Sequence, residues 1–243
     1  LDFKDGYRQN AALTGFRHIG KTSILQKFLA EVSAPDTVQI YIDAEFKDAA
    51  YFCSKIAGSI LYEFSKIRSL PLNEQLTILI ETAQEFLPRT TAAIKKAQRL
   101  LRHGKDAEAY TEMIALPQVF SSETGLFCVL VIDEFQCLED WGIADAFSAL
   151  GKTIMTQKQC LYIFGSSAPE QARTILSEKL SLLFGNFETI EIGAFDMKTC
   201  GEYVSRHLPG LQIRDDLKAF LIDFTGGHPL YLRLLCGQLV YLA

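Results

Sequence analysis

The sequence predicts an α/β protein built on a parallel sheet with helices against both faces, and three observations point to it. Short β-rich runs alternate along the chain with stretches of helical period. One run, Leu126 to Ile132, is apolar at all seven positions, as a strand covered on both sides must be. The 243 residues suffice to bury roughly three quarters of the surface of the unfolded chain, so neither disulfides nor a structural metal are needed to hold a core.

Five strands are predicted: Ala11 to Thr14, Val38 to Asp43, Phe127 to Asp133, Leu161 to Gly165 and Thr189 to Ile192. Apolar residues at helical spacing fill the intervals, as Ile56, Ile60, Phe64 and Ile67, then Leu72, Leu76, Leu79, Ala83 and Phe86, then Ile143, Phe147, Leu150 and Ile154. The interval between the second and third strands is too long for one crossover and predicts a helical insertion at about residues 68–118, within a core spanning 1–194. Past Phe195 no strand is expected. Two helical patterns (Leu217, Phe220, Leu221, Phe224, and Leu232, Leu235, Leu239, Leu242) predict a small helical lid over 195–243, broken at the TGGHP sequence.

The chemistry begins at Gly15-Phe16-Arg17-His18-Ile19-Gly20-Lys21-Thr22, which fits GxxxxGK[ST] between a predicted strand and a predicted helix. Glycines at both ends let backbone N–H groups wrap a β-phosphate, and the helix starting near Gly20, with Ser23 in its first turn, adds its positive end. Lys21 would reach the β and γ oxygens, and Thr22 would ligate Mg²⁺. The expected ligand is therefore a nucleoside triphosphate, ATP with Mg²⁺, and the fold class becomes that of the P-loop NTPases. The apolar strand LFCVLVIDEF supplies the second element. Its carboxyl end carries Asp133 and Glu134 where ligands bind in parallel sheets, and successive side chains point to opposite sides. Asp133 is read as holding Mg²⁺ through water, and Glu134 as orienting and deprotonating the attacking water.

Taken in order, LTGFRHIGKTSIL, VLVIDEFQCL, LYIFGSS and TGGHPLYL resemble the archaeal-type ATPase family, on the STAND and AAA+ side of the P-loop NTPases. The resemblance implies a sheet in the order 5-1-4-3-2, the Walker A and Walker B roles above, a sensor closing the fourth strand, and a helical lid whose proline, here Pro229, contacts adenine. Ser166 and Ser167 occupy the sensor position, and Ser167 is the catalytic candidate; serines there also cap a following helix. Pro229 equally suits the first turn of a helix. The chain departs from the family pattern at Arg17-His18, where two basic residues are usual, and ahead of the first strand, where the expected helix is at best partial.

Charge and composition bound the rest. A net charge of −5, from 24 Lys and Arg against 29 Asp and Glu, provides no global field towards nucleic acid or anionic lipid. The basic stretch Lys95, Lys96, Arg99, Arg102, His103 and Lys105 is a local exception that reads first as the solvated face of an amphipathic helix. Six scattered cysteines without a CxxC pair predict reduced thiols and a cytoplasmic setting. No apolar run approaches the ~20 residues of a membrane span, and no export signal is read at the amino terminus. Trp141 reads as a packing residue. The chain starts at Leu1 and ends within a helical pattern, so it is expected to be part of a longer protein whose flanks hold partner-binding parts.

The functional expectation is an ATP-hydrolysing switch that cycles between ATP and ADP and works with a protein partner or by self-association. A nucleotide-held scaffold and a DNA-associated regulator are the alternatives. A small-molecule kinase is disfavoured by the Asp133-Glu134 pair and the late lid. Arg17 reads first as a solvated loop arginine and second as a contact to the phosphates or to a neighbouring subunit, and none of Arg173, Arg206, Arg214 and Arg233 has a spacing that commits it to the site.

Overall fold

Strand β1 (Asn10–Thr14) runs straight into the glycine-bounded loop and helix α1 (Lys21–Glu31), and β2 (Thr37–Asp43) follows. The computed structural model describes residues 9–32, 34–180, 187–208 and 214–242. The partial helix expected ahead of β1 lies outside the described residues.

Five helices separate β2 from β3 (Phe127–Asp133): α2 (Ala49–Ile67), α3 (Leu76–Ala83), α4 (Pro88–Arg102), α5 (Asp106–Ile114) and α6 (Leu116–Thr124). A 3₁₀ segment, Phe135–Trp141, leads to α7 (Ala146–Thr156), β4 (Cys160–Ser166), α8 (Pro169–Thr174) and β5 (Phe187–Glu191). Three helices follow: α9 (Met197–His207), α10 (Asp215–Thr225) and α11 (Pro229–Leu242). Two expectations at helix edges need correction. Leu72 lies ahead of α3 and Phe86 beyond it, both half exposed, and Ile143 precedes α7. Their spacing continues a helical period, but the Asn73 side chain closes a local turn on the Gln75 N–H and Pro88 restarts the chain at the first turn of α4.

All strands are parallel, in the order β2-β3-β4-β1-β5, which is the expected 5-1-4-3-2. Val129, Leu130, Val131 and Ile132 of β3 are wholly buried, because alternate residues enter different cores. One face, with Leu130, Ile132, Tyr162 and Phe164, packs in the large core beneath α2 and α7 and continues into the helices before β3. The other, with Leu13, Val129, Val131 and Ile163, packs on Leu25 and Leu29 of α1. Burying each such side chain is worth about 1.5–3 kcal/mol, so a charge in place of any residue from Val129 to Ile132 would be severely destabilising. Phe52, Tyr110 and Trp141 form an aromatic cluster in the large core, as expected for Trp141. The segment α9–α11 has its own small core of Cys200, Val204, Leu208, Ile222, Leu232 and Cys236.

One long-range contact explains how α4 starts without a cap of its own. The Glu123 carboxylate on α6 accepts from Arg89 N at 2.8 Å, Thr90 N at 2.9 Å and Thr90 Oγ1 at 2.6 Å, satisfying N–H groups at the open end of α4. All six cysteines are free thiols.

Candidate functional site

Parallel register brings the carboxyl ends of four strands to one edge: Thr14 of β1 lies beside Ser166 of β4, and Asp43 of β2 beside Asp133 of β3. A cavity of about 410 Å³ opens there. Arg17, Lys21, Thr22, Tyr41, Asp133 and Glu134 line its core side, and Tyr203, Pro229, Leu230 and Arg233 line the side formed by α9 and α11.

The loop's shape follows from its end residues. Gly20 sits at φ 110°, a left-handed conformation that side-chain-bearing residues rarely adopt, and turns the chain into α1. No side chain caps α1 and no acid stands in its first turn, so its N–H groups and positive dipole end stay available to an anion. His18 is also left-handed, at φ 61°. Phe16, Arg17, His18, Thr22 and Ser23 are exposed, while Ile19 anchors the loop in the interior.

Lys21 is 4% exposed, and its Nζ donates to Gly15 O at 2.9 Å and Phe16 O at 3.0 Å, spanning the loop from within. Burial pulls its ammonium below the ordinary lysine range, opposed by the carboxylates of Glu134 and Asp133 and reinforced by Arg17. Asp133, 2% exposed, accepts through Oδ2 from Thr22 Oγ1 at 2.6 Å and from Tyr41 OH at 2.9 Å. Through Oδ1 it accepts from Glu134 N at 3.1 Å. Gly165 of β4 forms the floor beneath this carboxylate, where any Cβ would collide with Oδ1.

Glu134 leaves the strand with φ 51°, which turns its side chain away from that of Asp133. Its Oε2 accepts from Ser167 Oγ at 2.7 Å, Ser167 N at 3.0 Å and Gln136 Nε2 at 2.7 Å. Burial alone would raise its pKa, but these donors and Lys21 outweigh burial and hold the carboxyl below its ordinary value. It is thus an ionised acceptor, in the state a general base requires.

The two serines divide their tasks. Ser166 Oγ accepts from Ala168 N at 3.1 Å and donates to Ala168 O at 3.3 Å, tying down the turn into α8, while Ser167 holds Glu134. Pro229 both opens α11 and lines the cavity. The Arg17 guanidinium pairs with Glu45, and its carbonyl oxygen lies 3.2 Å from His228 Nε2, joining the loop to the start of α11. In the basic stretch, Lys96 pairs with Glu112 and Lys105 with Glu108, so acids of α5 neutralise part of it.

Sequence reasoning missed Tyr41, Tyr203, Gln136 and Arg233. The run VQIYID marked Tyr41 as a residue of the second strand, but its place beside Asp133 follows from the pairing of β2 with β3. Arg233 stands four residues after Pro229 and so shares its helical face, a signal that spacing from the loop could not give.

The fold is the P-loop NTPase α/β fold. A Walker-type ATPase of Pyrococcus abyssi superposes with a TM-score of 0.60 at 17% identity, covering 93% of this chain and 61% of that one. This chain therefore spans less than two thirds of that protein's length. Weaker likenesses link it to Cdc6p of Pyrobaculum aerophilum (TM-score 0.42, 12% identity, 79% of this chain and 41% of that one) and to the ORC2 protein of Aeropyrum pernix (0.44, 11%, 82% and 45%). Likenesses that remote say nothing of what this chain does. No family model and no curated protein matches the sequence.

Proposed function

We propose that this chain is a Mg²⁺-dependent ATP-binding and hydrolysing module that acts as a conformational switch within a larger regulatory protein. The observation that carries this reading is the convergence of Lys21, Thr22, Asp133 and the Ser167-held Glu134 on one cavity at the bare amino-terminal end of α1. The residues from 195 onward act as its lid, over a core formed by the preceding ones.

The site fits both groups it would take. Hard oxygen donors, Thr22 Oγ1 and Asp133 Oδ2, lie together at the cavity wall, as Mg²⁺ requires. Among the described residues no three His, Cys, Asp or Glu side chains could cage a metal alone. A cation held by Thr22 and Asp133 would thus keep water and phosphate oxygens in its shell, and when bound would draw negative charge from the β- and γ-phosphates. Lys21 exchanges its two loop carbonyls for phosphate oxygens. Glu134 takes the proton of the attacking water, with Ser167 and Gln136 fixing its orientation. The wall of Tyr203, Pro229 and Leu230 suits the base, and Arg233 is the cation on the lid side.

Arg17 is paired with Glu45 and Arg233 stands on the lightly anchored lid side, so this chain alone fixes no arginine at the γ-phosphate and its hydrolysis is expected to be slow, of the order of unstimulated switch NTPases. Phosphate release per chain tests this. It should rise with protein concentration if a second copy stimulates, or on adding a partner if one does. Several turnovers per second, independent of concentration, would contradict a switch, and bound nucleotide with no release at all would make the chain a scaffold. No helix among the described residues is long and apolar enough to cross a membrane.

A further inference from the structure

Tyr41 stands on β2, an edge strand of the sheet, outside every motif that marks the phosphate loop. Its ring packs with the apolar cluster of Leu29, Val129 and Val131, and its hydroxyl reaches the cavity. There it donates to Asp133 Oδ2 at 2.9 Å, the same oxygen that accepts from Thr22 at 2.6 Å. The opposite oxygen is held by Glu134 N at 3.1 Å and rests over Gly165. A phenol is protonated at neutral pH and so serves here as the donor. A carboxylate gripped in this way has no freedom to rotate. Without Tyr41, Oδ2 would keep only the hydroxyl of Thr22, which is itself the expected cation ligand.

We propose that Tyr41 is a positioning residue for the divalent cation, orienting Asp133 so that its carboxylate meets the hydrated ion without reorganising. This rests on the reading of the cavity as a Mg²⁺-nucleotide site and names the side chain that sets its cation affinity. Partners of this kind, one hydrogen bond removed from a metal, are worth about 10–100-fold in metal affinity.

Calorimetric titration of ATP into the unaltered protein and into Tyr41→Phe, in EDTA and across a series of free Mg²⁺ concentrations, tests the proposal. Tyr41→Phe keeps the ring in its apolar cluster. Its ATP affinity in EDTA should stay within about twofold of the unaltered protein, while the Mg²⁺ concentration that gives half the cation-dependent gain should rise about 10-fold. An unchanged Mg²⁺ midpoint, or an equal loss of affinity in EDTA, would overturn it. Tyr41→Leu removes ring volume as well as the hydroxyl and should melt at a lower temperature, yet move the midpoint by the same factor. A midpoint that instead tracked melting temperature would make Tyr41 merely structural. If the unaltered protein bound no ATP, the nucleotide reading itself would fall and take this inference with it. Unaltered protein that responds to Mg²⁺ alongside an unshifted Tyr41→Phe would fault Tyr41 alone.

Discussion

The two walls of the cavity are held very differently. On the core side the groups that would do the chemistry are pinned: Lys21 by two loop carbonyls, Asp133 by three donors, and Glu134 by three donors on a single oxygen. Asp133 and Glu134 stand where a central strand ends, with cores on both faces of the sheet, and Lys21 opens the helix that packs on one of them. On the lid side, Tyr203, Pro229, Leu230 and Arg233 rise from helices resting on a core of six buried residues, and the bond between His228 and the Arg17 carbonyl ties that side to the loop. A preorganised wall is suited to charges that must be met in fixed geometry, such as phosphates, cation and attacking water. A lightly anchored wall can open and close around them, because elements with few buried contacts are the ones that move at low cost. Under the proposed function, binding and chemistry would fall to the core and the sensing of nucleotide state to the lid.

Three substitutions break or sharpen that division. Lys21→Ala removes the core's cation and should weaken ATP binding by about 10²-fold or more, since it loses charge-assisted bonds to two phosphates. Near-normal affinity by calorimetry would place the phosphate site elsewhere. Glu134→Gln keeps the shape and hydrogen-bonding size of the side chain but cannot accept the proton, so hydrolysis should slow by about 10²-fold with ATP affinity nearly unchanged. Equal turnover of the two proteins, followed by phosphate release, would remove Glu134 from the chemistry. Arg233→Ala tests the lid and should have the smallest effect, about 10-fold on ATP affinity with much less on ADP, as one charge-assisted bond to the terminal phosphate implies. A loss shared equally by ATP and ADP would show that the lid does not distinguish nucleotide state.

The core wall was largely legible in the sequence and the lid wall was not, for a physical reason. Loop, central strand and strand ends are local patterns: glycines at fixed offsets, an unbroken apolar run, carboxylates where it stops. The β3 limits, Phe127 to Asp133, could be read directly because full burial leaves no room for a polar residue before the edge of the sheet. The strand order came from family likeness, since nothing in local pattern tells which strands become neighbours. Tyr41 and Gln136 escaped notice because their roles depend on pairing across strands and on a 3₁₀ turn, which fix contacts that spacing does not encode. Arg233 reaches the cavity only through the packing of α11 on α9 and α10, a tertiary relation far from the loop in sequence. The helical spacing at Leu72 and Ile143 ran past the true helix ends because periodicity carries no stop signal of its own.

The most direct test is to mix the unaltered protein with equimolar ATP and Mg²⁺, separate protein from free nucleotide, and measure what stays bound and what phosphate is released over time. If the proposed function holds, the protein should retain close to one nucleotide per chain, recovered first as ATP and slowly becoming ADP as phosphate appears. Recovery of no nucleotide at micromolar protein and ATP would contradict the assignment of Lys21, Thr22 and Asp133 as a nucleotide site.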